Sequence, residues 1–124
     1  MLFSSRQFAD VVVAAPVGRI DHAAAGDFER ALKPLLPQAG SATNALILDF
    51  AGVDYISSVG LRVLMIAAKD ARAQGTRIAV GAPQAVVAEI LAISRFDSVV
   101  ELFPSVRGAL ETLSAAALTA FDAT

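Results

Sequence analysis

The chain has no cysteine, and with it go disulfides, thiolate nucleophiles and thiolate metal sites. The lack of disulfides fits a reducing compartment. Tryptophan is absent and histidine occurs once, as His22. A Ser-His-Asp set needs its imidazole beside both a nucleophile and a carboxylate. His22 instead follows a predicted strand, where it reads as a solvated residue of a first helical turn. No group of His, Asp or Glu has metal-ligand spacing, and neither G-x-x-x-x-G-K-[ST] nor G-x-G-x-x-G occurs. No catalytic residue, metal or cofactor is therefore expected. Charge is sparse too, at 18% of residues with a formal net charge of -2. That excludes the basic stripe of a nucleic-acid binder and the polybasic patch of a membrane-surface protein. No apolar run reaches the roughly 18 residues of a spanning helix. The apolar run 11–17 is preceded by Asp10 and followed by Gly18-Arg19, so it reads as strand and not as a signal segment. A soluble, cytoplasmic chain is expected.

What remains is 124 residues, of which 56% are hydrophobic, enough for one domain with a core. Much of that fraction is alanine, which favours helix. No internal repeat or linker divides residues 1–124, and the core is expected over about 7–114. Strands are predicted over 8–15 and 17–20, with Pro16 between them suiting a turn or an edge. Asp21 reads as a helix N-cap, followed by a helix over 23–33 with Phe28, Ala31 and Leu32 on one side. Pro34 and Pro37 end it, and 38–44 is a polar loop.

Residues 45–50 form the clearest strand, apolar almost throughout, as a strand covered on both faces would be. Residues 51–56 read as a connection, 58–73 as a helix, and Gly75 as its stop. A strand over 76–80, a turn at 81–83, a helix over 84–93 and a brief strand over 98–101 follow. Pro83 suits the first turn of that helix. Ser105 caps a last helix to about Ala117, and the tail beyond Leu118 is expected to fray. This alternation specifies an α/β fold: a mixed sheet of four to five strands packed with four helices.

Three acids stand near strand ends: Asp21, Asp49 and Asp54. Loops at the carboxyl ends of strands build the binding surface of open α/β sheets, so the three can share one edge. Each also suits the ordinary work of capping a helix or solvating a turn, and for Asp54 that is the favoured reading. The most informative stretch is Asp54-Tyr55-Ile56-Ser57-Ser58-Val59-Gly60-Leu61-Arg62. A serine pair at a helix start ordinarily caps free N–H groups. The same end, with partial positive charge and unpaired donors, can also hold a phosphate on its own cap residue with little reorganisation. Gly60 is expected to leave room for another protein's backbone. Leu61, Leu64, Met65 and Ala68 anchor the helix, while Val59, Val63 and Ile66 face either a neighbouring helix or a partner.

Three stretches resemble the STAS domain, and in particular the stand-alone anti-sigma factor antagonists. They are Gly18-Arg19-Ile20-Asp21-His22-Ala23; Leu46-Ile47-Leu48-Asp49-Phe50 with Val53-Asp54-Tyr55-Ile56-Ser57-Ser58-Val59-Gly60-Leu61; and residues 90–97 followed by Leu102-Phe103-Pro104-Ser105. The resemblance implies that Ser58, directly before the small-Gly-Leu group, accepts a phosphate. Many relatives carry Asp at the preceding position, where this chain has Ser57, a rival acceptor. It further implies partner switching. The unmodified domain binds an anti-sigma factor that is also a serine kinase and frees a sigma factor; phosphorylation ends the binding and a serine phosphatase restores it. Catalysis then belongs to the partners. Asp21, His22, Asp49, Asp54, Ser57, Val59, Gly60 and Arg62 are expected to form the contact surface, on a free protein that is a monomer or weak dimer. The other role open to such a domain is a non-switching scaffold subunit in a transport or stress-signalling complex. A two-component receiver shares the length and an Asp near Asp49, but no acid follows Val11-Val12-Val13 and no lysine lies near Val99-Val100-Glu101.

Overall fold

In the computed structural model, which describes residues 1–36 and 43–124, the longest strand organises the rest. β1 (Leu2–Phe8) turns at Ala9-Asp10 into β2 (Val11–Ile20), its antiparallel partner from Leu2↔Val17 to Phe8↔Val11. The other edge of β2 takes two strands in succession. β3 (Ala45–Asp49) runs parallel to Val11–Ala14, and β4 (Val53–Ile56) runs parallel to Gly18–Ile20. Pro16 lies between these two pairings and faces Phe3 of β1. It does not end a strand there, because β2 lacks a parallel partner at that point and needs no donor.

β5 (Arg77–Gly81) pairs with β3, and β6 (Glu101–Phe103) pairs with β5, giving the order β1-β2-β3-β5-β6 with β4 beside β2. Across the last pair the Arg77 guanidinium makes a two-pronged bridge to Glu101, and that hydrogen bond holds its pKa above the usual value. The helices are α1 (Ala25–Leu32), α2 (Ser58–Ala73), α3 (Ala85–Ile93), α4 (Val106–Leu113) and α5 (Ala115–Asp122).

The pleat sorts β3 between two cores. Leu46 and Leu48 join Phe28 of α1, Leu64 of α2 and Leu91 of α3. Ala45 and Ile47 join Leu110 of α4 and Ala117 of α5. These four residues of β3 are fully buried, which is why the segment reads as an unbroken apolar run.

The α/β alternation holds, with departures. β4 occupies what reads as connection. The strand after α3 begins at Glu101, since Phe96–Ser98 form a 3-10 turn. α3 begins at Ala85, so Pro83 precedes its Gln84 cap. The chain end does not fray: Ser114 breaks the last predicted helix in two. Its Oγ accepts from Ala117 N–H at 3.1 Å and donates to Asp10 at 2.6 Å. α5 then returns to β1, with the Phe121 ring edge-on to Phe8 at 5.3 Å. The loop expected over 38–44 lies mostly outside the described residues, as does Pro37.

Candidate functional site

β2 and β4 end side by side, Ile20 opposite Ile56, and the chain passes directly into α2. Ser57 N–H donates to the Ile20 carbonyl at 2.8 Å, which pins the entry to α2 against the end of β2. Ser57 is extended (φ -85, ψ 172), and its Oγ accepts from Gly60 N–H at 3.1 Å. It therefore does the ordinary N-cap work. Ser57→Ala should lower stability by about 1 kcal/mol in urea unfolding, the usual cost of a lost cap.

Ser58 is different. It is the first residue of α2, it is exposed, and its hydroxyl makes no hydrogen bond among the described residues. Ser58 N–H and Val59 N–H are likewise unpaired among the described residues. One serine of the pair caps the helix; the other presents its oxygen to solvent.

Around this tip the expected residues separate. His22 is exposed just beyond β2. Asp21 is half-buried, and its Oδ1 accepts from Ala24 N–H at 2.9 Å, capping the turn that leads into α1. Asp54 is exposed on β4, not in a loop; it is the extra residue of a bulge, since Gly18 faces Val53 and Arg19 faces Tyr55. Arg62 is exposed one turn into α2, and Val59 is half-buried against α1. Of the other apolar residues on that side, Val63 is buried and Ile66 stays 44% exposed.

Two of the expected residues leave the patch. Gly60 is buried and faces inward, and a Cβ there would lie 2.8 Å from Ile20 Cγ2 and 3.0 Å from the Ile20 carbonyl. It lets α2 approach β2; it does not make room for a visitor. Asp49 ends β3 level with Ala15 of β2, roughly 16 Å before Ile20 at about 3.3 Å per residue. Its carboxylate accepts from Ala51 N–H at 3.0 Å, a turn-closing bond.

The family model of the STAS domain matches residues 3–109. The chain belongs to the STAS domain family. Solved structures agree with this fold. An anti-sigma factor antagonist of Mycobacterium paratuberculosis superimposes with a TM-score of 0.79 at 21% identity, covering 90% of this chain and 92% of that one. The anti-sigma factor antagonist SpoIIAA in its unphosphorylated form gives 0.66 at 18% identity, covering 82% and 87%. The STAS domain of a SulP transporter from Vibrio cholerae gives 0.64 at 24% identity, covering 94% and 87%. A search of curated protein sequences found no match.

Within this STAS domain the tip holds one pairing that sequence reading missed. The Arg19 guanidinium lies 4.4 Å over the Tyr55 ring, a cross-strand cation–π contact between register partners. Both residues stand in the motif stretches, but only with residues 53–56 in strand do they face each other. Among the described residues no group of acids and His is arranged to hold a metal, and no helix is long and apolar enough to cross a membrane.

Proposed function

We propose that this STAS protein is an anti-sigma factor antagonist whose binding is switched by phosphorylation of Ser58. The observation that carries the reading is the division of labour between the two serines. Ser57 supplies the cap, so the Ser58 hydroxyl has no structural duty, and it stands exposed on a rigid helix start. Similarity to anti-sigma factor antagonists supports the class of partner. A transporter domain shares the fold as well, so the fold does not choose between them; the free hydroxyl supports the switched reading.

In this reading the unmodified tip, with His22, Asp54, Val59 and Arg62 around Ser58, docks on an anti-sigma factor with serine kinase activity in the cytoplasm. The kinase transfers the γ-phosphoryl group of ATP to Ser58 Oγ. The bond to ADP breaks, the Oγ–P bond forms and the hydroxyl proton leaves. A serine phosphatase hydrolyses that ester and restores binding. The chain is ligand and substrate, not catalyst.

Incubation with the cognate kinase and ATP, followed by peptide mass analysis, should place one phosphate on Ser58. Phosphate on Ser57 instead, or stable partner binding without any phosphate turnover, would overturn the assignment; the latter outcome would make the domain a scaffold.

A further inference from the structure

We propose that Arg62 is the intramolecular partner of a phosphate carried on Ser58, an i,i+4 ion pair that holds the modified serine against its own helix. This rests on Ser58 being the acceptor. Residues four apart on a helix are surface neighbours, with Cβ atoms about 5–6 Å from each other. Helical side chains lean toward the N-terminus, so a guanidinium at 62 reaches back over the turn that holds Ser58. An anion preceding a cation by four residues is also the favourable order.

The inference rests on the state of Arg62 more than on the helix end. Most arginines of the described surface are engaged. Arg30 pairs with Asp27, Arg77 with Glu101, and Arg107 with Glu111 and Asp122. Arg72 donates to the Val99 carbonyl, and Arg19 lies over Tyr55. Arg62 is exposed and has no hydrogen bond or ion pair among the described residues. Even Glu29, which lines the same shallow α1–α2 depression, does not bridge to it.

The pair also separates the two serines. The residue four beyond Ser57 is Leu61, which offers a phosphate nothing, and the Ser57 oxygen is committed to Gly60 N–H. A phosphate on Ser58 has Arg62 beside it and the unpaired N–H groups of Ser58 and Val59 below it. Modification then does two things at once: it adds an anion and it occupies an arginine that the unmodified tip leaves free.

The test installs phosphoserine at position 58 of the full chain by genetic-code expansion, so that no kinase is involved. His22→Gln removes the chain's single histidine from the neighbourhood of the probe. The ³¹P shift is followed against pH. Arg62→Gln should raise the second phosphate pKa by about 0.3 unit, because the doubly charged form loses its partner. Arg62→Lys should keep most of the effect, and 1 M salt should remove it. Lys69→Gln, an equal loss of charge on α2 at a distance, should change the value by less than about 0.1 unit. Equal shifts in Arg62→Gln and Lys69→Gln would overturn the pairing, and would leave the switch standing if phosphoserine still abolishes partner binding. A kinase that never modifies Ser58 would overturn the switch and leave this titration unaffected.

Discussion

Phosphoserine at position 58 is expected to weaken binding to the anti-sigma factor proposed as partner by more than about a hundredfold. Ser58→Asp should weaken it by about tenfold or more, and Ser58→Ala should bind within a few-fold of the wild type while accepting no phosphate. The phosphate brings about -1.5 to -2 charges to an oxygen that is exposed in the free protein. In the free state, water and the start of α2 accommodate that charge. In a packed interface the charge must shed its water and enter a space shaped for a hydroxyl. A penalty of about 3 kcal/mol is already more than a hundredfold in affinity. No refolding is required, because Ser58 lies outside both cores and its hydroxyl holds nothing in place. Titration calorimetry of the four forms decides the matter. Affinities that ignore both substitutions and the phosphate would remove Ser58 from the mechanism. A large movement of α2 between free modified and unmodified forms would show that the switch is conformational and not local.

Gly60→Ala should cost about 2 kcal/mol of folding stability, more than any other single-methyl change at the tip. The added carbon would meet Ile20 Cγ2 at 2.8 Å, Ile56 Cγ1 at 2.9 Å and the Ile20 carbonyl at 3.0 Å. Ile20 and Ile56 are buried neighbours on paired strands, and the carbonyl accepts from Ser57 N–H, so none of the three atoms yields easily. The gain in helix propensity over glycine, up to about 1 kcal/mol, offsets only part of the overpacking. The start of α2 would be pushed outward, taking Ser57 and Ser58 with it. Denaturant unfolding should show the lower midpoint, and kinase modification of the folded variant should slow. A variant as stable as the wild type would mean that β2 and α2 are not held at this spacing.

The amino-acid order alone determined the elements whose signals are local. Residues 45–48 are buried on both faces and announce a central strand by composition. α2 follows from its cap serine, its apolar spacing and the Gly75 stop, where φ is +75. The motif stretches around Asp21 and the serine pair located the tip, because capping chemistry is short-range and resides in neighbouring residues.

What only the tertiary structure decided depends on partners distant in sequence. Residues 53–56 become a strand because the far end of β2 offers a free edge, and nothing within the segment reveals that edge. Pro16 is tolerated inside β2 because two different strands meet that edge on either side of it. The residues from Ser114 onward turn into α5 because Asp10 and Phe8, a hundred positions earlier, receive Ser114 and Phe121. The same holds within the site. Gly60 was expected at the contact surface because it lacks a side chain, and Asp49 because it nearly ends a strand, yet Ile20 fills the space before one and strand register sets the other back from the tip. A residue's type fixes what it can do, but its exposure is a property of what packs against it. That is why the serine pair could be found in the sequence, while the sorting of Ser57 to the cap and Ser58 to the solvent required the fold.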